Sequence, residues 1–357
     1  MTGQYRRVRT WLAFTPRDTV FVRDGRSFDA VANTTARTVR PWPSTVAGAT
    51  REAFGGDVDA EPDAVRGPVL ARKSAAGDTW RLYFQVPADL VATVEQTAPY
   101  VFRLSSVDPF GATDLGDGVR RRLQPPPQAG NGKVEPVPGW LPGDVLAAYL
   151  AGGHPPADGM PKADLRLEDP ERGELRVGLA RAGRQAKTGY LYQATHLRIE
   201  EHWSLLAEYE PRAGWDRVAR GPVPLGGRGR LADVTALSGP DWPASPGRFP
   251  GGRVLVYLAT PAIWPGGWRI PIPPGGELWA AVTGEPVPVA TTSPREGWQK
   301  HRMLRWAVPA GSVYLLKFGA EDLAAEWAGS VHGKAFGPVD DRLCTAGFGV
   351  VLTGVWT

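Results

Sequence analysis

Cysteine is almost missing from this 357-residue sequence: Cys344 stands alone. That excludes an intramolecular disulfide framework and fits a reducing compartment. Histidine is scarce. His154, His196, His202, His301 and His332 are scattered, with no zinc-type spacing, and the first 153 residues hold none. A general-base histidine in the N-terminal part is thereby ruled out. Long hydrophobic runs are absent too, since none approaches the ~18 residues that span a bilayer. The opening MTGQYRRVRTWLAFT has only four consecutive apolar residues, too few for a signal sequence. The expectation is a cytoplasmic protein with no membrane partner. Gly-x-Ser-x-Gly, HExxH, a GK[ST] phosphate loop and paired cysteines are also lacking, so neither a cofactor nor a metal is expected.

What is present is ordinary in bulk: 42% hydrophobic and 22% charged residues suit a globular protein. The length allows two domains, each with its own core. With 44 Gly and 35 Pro, many turns and long irregular loops are expected. Lysine is rare beside arginine, seven against thirty-four, and charge is uneven along the chain. Residues 1–51 carry nine Arg against Asp18, Asp24 and Asp29, an excess of six in a chain whose net charge is only +4. Such a local excess suits either a solvated arginine-rich surface or a phosphate-facing patch, where planar guanidinium forks fit anionic oxygens.

Strands outnumber helices in the pattern. Trp11–Phe14, Trp80–Val86, Tyr100–Ser105, Leu175–Ala180, Gly189–Ile199, Trp203–Tyr209, Val254–Ala259, Leu278–Val282, Val313–Phe318 and Phe348–Val355 read as strands. Helices are expected after Ser44, as N-cap, and after Asp144, with Val145, Leu146, Tyr149 and Leu150 on one face. Gly48 inside the first helix costs roughly 1 kcal/mol against Ala, which suggests that something needs the room. Residues 57–76 read as a polar loop or hairpin, 114–138 as a long loop around Arg120-Arg121-Arg122, and 153–161 as an interdomain linker. The arginine triplet suits a solvated face or a nucleic-acid contact.

Four groups of residues could carry chemistry. Arg23-Asp24-Gly25-Arg26 is a charged turn. Gly226-Gly227-Arg228-Gly229-Arg230 brings bare N–H groups and two guanidiniums together, either as an anion-binding concavity or as a hairpin with a basic tip. Gly347-Phe348-Gly349 either presents a ring for base stacking or sets a core phenylalanine at a bulge. Tyr190, Tyr192, His196 and Arg198 lie on one strand face, for stacking or for burial.

These residues carry a family resemblance. Asp18, Phe21, the run Arg23-Asp24-Gly25-Arg26-x-Phe28 and Pro43-Ser44-Thr45-Val46-Ala47-Gly48-Ala49-x-Arg51 resemble the start of the third subunit of type III-B (Cmr) CRISPR effector complexes, in the RAMP superfamily. Arg176-Val177-Gly178-Leu179, Lys187-Thr188-Gly189-Tyr190-Leu191-Tyr192, Leu225-Gly226-Gly227-Arg228-x-Arg230, Pro265-Gly266-Gly267-Trp268, Gly297-Trp298, Val308–Tyr314 and Gly347-Phe348-Gly349 with Gly354-x-Trp356 extend the match in order. Arg228 stands where that family commonly has an acidic residue. The resemblance implies an α+β fold of two ferredoxin-like (RRM-like) domains with long insertions, 1–160 and 161–357. It implies a non-catalytic subunit that holds the 5′ repeat-derived tag of the guide crRNA and meets target RNA only indirectly. The implied protein partners are the large Palm-domain subunit and the first backbone RAMP subunit. RNA contact is carried over to Arg23, Arg26, Ser44, Thr45, Gly48, Arg51, Gly226, Gly227, Arg228, Arg230, Gly347, Phe348 and Gly349.

Two other readings remain at this point. One is a metal-independent guide-RNA processing endonuclease of the same superfamily, opposed by the histidine-free first 153 residues. The other is a lectin-like β-protein, suggested by fourteen Trp among many Gly and Pro and opposed by the basic N-terminus.

Overall fold

The computed structural model describes residues 10–23, 35–36, 38–55, 64–75, 77, 79–94, 98–107, 122–210, 218–292, 302–337 and 341–356. The fold is mixed and strand-rich, built on two antiparallel sheets packed face to face. The first has seven strands, ordered Trp140–Pro142, Trp80–Gln85, Ala64–Lys73, Trp203–Glu210, Thr10–Pro16, Leu231–Leu237 and Val223–Pro224. The second has five, ordered Gly276–Val282, Val313–Phe318, Arg253–Leu258, Val350–Val355 and Lys334–Ala335. In both sheets four consecutive places follow the chain order second, third, first, fourth. These are 64–73, 203–210, 10–16 and 231–237 in one, and 276–282, 313–318, 253–258 and 350–355 in the other.

Alternation along the strands builds the layers. In Thr10–Pro16, Trp11 and Ala13 face the core shared by both sheets, joined there by Leu255, Tyr257, Leu315 and Leu352. Leu12 and Phe14 face the other way, onto the helix Pro43–Ala53 through Val46, Ala49 and Ala53. The second sheet repeats this arrangement. Val254, Val256, Tyr314 and Leu316 turn from the shared core toward the helix Glu321–Val331, which buries Ala324 and Ala328. The helix Gly143–Leu150 packs into the shared core with Val145, Leu146, Tyr149 and Leu150, the face expected from its sequence.

Several expectations need correction. The division at residue 160 does not follow the sheets, because Trp203–Glu210 and Leu231–Leu237 pair with Thr10–Pro16. The first sheet therefore takes strands from well past that point. Of the two readings for 57–76 the hairpin holds and the loop does not: residues 64–73 are an interior strand that pairs with Trp80–Gln85. Val65, Val69, Leu70 and Ala71 are buried, and the charge that disguised them belongs to Arg66, which pairs with Glu208. The proposed linker is partly an edge strand, with Met160 opposite Val101. Within 114–138, Val134–Pro136 pairs with Leu90–Thr93. Neither expected N-cap forms. Pro43 opens its helix behind Trp42 and leaves Ser44 exposed in the first turn, whereas the Asp144 side chain bonds Arg166. The helix at 321–331 and the hairpin Val287–Thr292/Arg302–Ala307 were not anticipated.

One polar contact ties the small Leu90–Thr93/Tyr100–Arg103 sheet to the shared core. Asp89, 1% exposed, accepts from Arg103 Nε at 2.8 Å and from the Tyr149 hydroxyl at 2.7 Å. Burial first, with the neighbouring Asp89 adding to it, pushes the Tyr149 phenol well up, so it stays a neutral donor. Removing the carboxylate strands a buried guanidinium. Asp89→Ala should therefore cost about 3–5 kcal/mol, and Tyr149→Phe about 1–3 kcal/mol, read from urea-denaturation midpoints. A midpoint for Asp89→Ala equal to that of the wild type would show the contact to be incidental.

Candidate nucleic-acid interface

The long hairpin Glu171–Ala182/Gln185–Ile199 lies beside the first sheet and pairs with the short strand Thr35–Ala36. Its register sets Glu174 opposite His196 and Arg172 opposite Arg198, so Arg172, Glu174, Arg176, His196 and Arg198 share one face. The chain leaving Thr10–Pro16 passes along that face, bridging at Val20 to Leu197 and at Phe21 to Gly226. This route brings Asp18 to the middle of an arginine cluster. Its carboxylate accepts from Arg176 Nη2 at 2.9 and 3.1 Å, from Arg198 Nη2 at 2.9 Å and from Arg230 Nη1 at 2.6 Å. Glu174 joins Arg176 and Arg198 from the other side.

The Gly-rich turn supplies the edge of the cluster. Gly227 N–H donates to the Phe21 carbonyl at 2.7 Å. Gly226 has φ +87°, and a Cβ there would meet that oxygen at 2.6 Å, so only glycine permits the approach. Arg228, exposed at the tip, sets its guanidinium 5.1 Å from the Phe21 ring centre. Phe21 in turn packs against His196, the rings tilted and their centres 4.8 Å apart. Arg176, Arg198 and Arg230 thus share the Asp18 carboxylate, and Glu174 bonds the first two of them. The charged groups remain in reach of a ligand, with Asp18 40% and Arg198 45% exposed.

The electrostatics follow from this crowding. Partial burial works to raise the Asp18 carboxyl, but the hydrogen bonds from Arg176 and Arg198 outweigh it and hold the group below the usual carboxylate range. Burial pushes the His196 imidazole down, reinforced by Arg230, Arg176 and Arg228. His196 is therefore neutral at pH 7, with Nδ1 at 2.9 Å from the Thr19 hydroxyl. Among the described residues no group of three His, Cys, Asp or Glu is placed to hold a metal ion.

The residues carried over from the resemblance separate into four groups. Gly226, Gly227, Arg228 and Arg230 join the cluster. Arg23, exposed and bridged to Thr38, lies two residues beyond Phe21, while Arg26 lies outside the described residues. Ser44, Gly48 and Arg51 recur at four and three residues and so share one helix face. Thr45 beside them is half-buried, and the space above Gly48 is open, as its cost in a helix suggested. The fourth group is a correction. Phe348 is 0% exposed and stacks on Trp42, so it cannot offer its ring to a base. Gly347, at φ +96°, lies where a Cβ would meet the Val65 carbonyl at 2.8 Å, and Gly349 is likewise buried. That turn packs the two sheets together.

Sequence reasoning missed the role of Asp18 and Glu174 as the acids that gather the arginines. The alternation of His196 with Arg198 was the available signal, since it put both on one face. Tyr190 and Tyr192 lie in the same strand, and their side chains fall outside the described set. Arg120, Arg121 and Gly297-Trp298 also lie outside it.

The lowered imidazole of His196 has a measurable consequence. Its native form resists protonation that an unfolded histidine accepts near pH ~6.5. The stability involved is present above that value and lost as pH falls through it. His332, depressed mainly by burial, contributes in the same direction. Melting temperature should therefore drop between pH 7.5 and 5.5, and His196→Asn should reduce the drop. An unchanged drop in the variant would remove His196 from this account.

No curated protein matches the sequence. Among solved structures, a chain of the type III-B Cmr-beta complex bound to cognate target RNA and AMPPnP, state 1, aligns with a TM-score of 0.45. The identity is 12% over 86% of each chain. A chain of Cmr-beta bound to cognate target RNA gives 0.44, again at 12% identity and 86% of each chain. The family model for CRISPR-associated protein (Cas_Cmr3) runs through residues 12–356, nearly the whole length, and the chain belongs to that family.

Proposed function

We propose that this type III-B CRISPR effector subunit is a non-catalytic RNA-binding protein that holds the 5′ repeat-derived tag of the guide crRNA. In the same reading it docks the large Palm-domain subunit to the first backbone RAMP subunit. The observation that carries the RNA reading is the gathering of Arg176, Arg198 and Arg230 around Asp18 on an accessible face, with Arg228 at its edge. Single-stranded RNA is held by phosphate contacts, with bases stacked on planar side chains. Arginine supplies both the fork for phosphate and a plane for stacking. The ferredoxin-like reading is supported by the second–third–first–fourth strand order in both sheets, as in a β-α-β-β-α-β chain whose halves interleave. The non-catalytic reading rests on the absence of histidine from the first 153 residues. The endonuclease alternative would cleave repeat RNA without metal.

The test is fluorescence anisotropy of a short RNA carrying the tag against a scrambled RNA, across a salt series. Tag affinity should fall with a log–log salt slope near −0.7 for each phosphate contacted. Arg198→Gln and Arg228→Gln should each weaken binding by about tenfold and make the slope shallower by about one contact. Equal binding of tag and scrambled RNA, or wild-type affinity in both variants, would refute the assignment. Cleavage of repeat RNA in EDTA would favour the endonuclease instead.

A further inference from the structure

Asp18 stands where the arginine cluster would receive an anion. A carboxylate spreads one negative charge over two oxygens, and so does the phosphodiester of an RNA backbone. Both accept from guanidinium groups through charge-assisted hydrogen bonds. Here the carboxylate accepts from Arg176 Nη2 at 3.1 and 2.9 Å, from Arg198 Nη2 at 2.9 Å and from Arg230 Nη1 at 2.6 Å. Donors from both strands of the hairpin and from the Gly-rich turn thus converge on one small acid.

The second acid of the cluster is placed differently. Glu174 lies on the same strand as Arg176 and accepts from Arg176 Nε at 2.8 Å and from Arg198 Nε at 2.7 Å. It therefore clamps both guanidiniums along the edge nearest their own stems. Asp18 is bonded through Nη atoms alone, the outer ends of the forks, which an arriving ligand meets first. Arg230 has capacity to spare, because its Nε is buried with no hydrogen-bond partner among the described residues. A tetrahedral group with bridging as well as terminal oxygens can use donors that a planar carboxylate leaves unmet. Asp18 also has a way out. Its side chain is 40% exposed, on the connector between the end of Thr10–Pro16 and the bridge from Val20 to Leu197. It can turn to water while the sheet and the Glu174 clamp stay in place.

We propose that the Asp18 carboxylate fills the seat of an RNA backbone phosphate and is displaced by that phosphate when RNA binds. This rests on the RNA-binding reading and deepens it, by making Asp18 a selectivity residue. Exchanging one anion for another of equal charge gains little at a single seat, so an isolated phosphate is held weakly. A strand that makes further contacts on the same face overcomes the competitor, which favours the correct ligand over short or stray ones. In the free protein Asp18 is the internal counterion, so fewer solution anions are released on binding.

The experiment uses the full chain as wild type, Asp18→Asn and Glu174→Gln, two substitutions that each remove one negative charge and keep the side-chain shape. Tag RNA is read by anisotropy across a salt series, and inorganic phosphate by its effect on melting temperature. Asp18→Asn should bind tag RNA about threefold or more tighter than wild type, with a steeper salt slope, because solution anions then fill the seat. Glu174→Gln removes the clamp, not the competitor, and should bind no tighter than wild type. Phosphate should raise the melting temperature of Asp18→Asn by more than that of wild type. Unchanged or weaker RNA binding by Asp18→Asn would make the acid an organiser only and overturn the proposal. Equal tightening by both variants would overturn it as well, since loss of any negative charge would then suffice. If Asp18→Asn does not fold, the same readings are taken on Asp18→Ser in excess phosphate. Failure of both to fold gives the acid a structural role, and the proposal falls. The tag reading is judged apart: if wild type binds tag and scrambled RNA equally while phosphate selectively stabilises Asp18→Asn, the seat stands and the tag assignment is lost.

Discussion

Repulsion among guanidinium groups is the constraint on which the interface depends. Arg176, Arg198 and Arg230 reach one another only because the Asp18 carboxylate lies between them and accepts from all three. Asp18 can do so because it leaves Thr10–Pro16, a strand in the interior of the first sheet whose residues 11–14 are all buried. The packing that fixes this strand thereby fixes the acid. Glu174 repeats the device on the hairpin, bonding Arg176 and Arg198 from the opposite side. Acids that share the guanidiniums keep the arginines in place on an exposed face, within reach of a polyanion.

The same strand explains why the two halves of the molecule form one body. Its even and odd residues serve different cores, one against the helix Pro43–Ala53 and one against the second sheet. Polar contacts reinforce that seam. The Tyr257 hydroxyl donates to the Gln85 carbonyl at 2.6 Å, and Arg66 reaches the Gly333 carbonyl at 2.8 Å. The Gly347–Gly349 turn belongs to this seam, since the Thr260 hydroxyl bonds the Gly347 carbonyl while Phe348 fills the space beside Trp42. A glycine-flanked aromatic can therefore mark close packing as readily as a ligand site.

Much of the fold was legible because period-2 hydrophobicity is a local signal. Trp80–Gln85, Trp203–Glu210, Val313–Phe318 and Val350–Val355 all stand close to where their apolar runs put them. The strand Ala64–Lys73 was hidden because Arg66 and Pro68 interrupt it, and Arg66 is accommodated in a buried strand by distant partners, Glu208 at 142 positions and the Gly333 carbonyl. Helix starts were misjudged for a related reason. Ser44 and Asp144 look like caps in isolation, but Pro43 begins the first helix and Arg166 claims the second side chain. At the interface, the glycine turn and the arginines could be read from sequence. The identity of the acids that organise them could not, because Asp18 meets Arg176, Arg198 and Arg230 across separations of 158 to 212 residues.

The acids that assemble the cluster also set its terms for a ligand. Around Asp18 the cations are held by carboxylates that share them, and their hydrogen bonds depress the acid against the pull of burial. A phosphate approaching the cluster must compete with acids already bonded. Each contact would therefore add little by itself, and several together would set direction and register along a strand, which fits the proposed RNA-binding role.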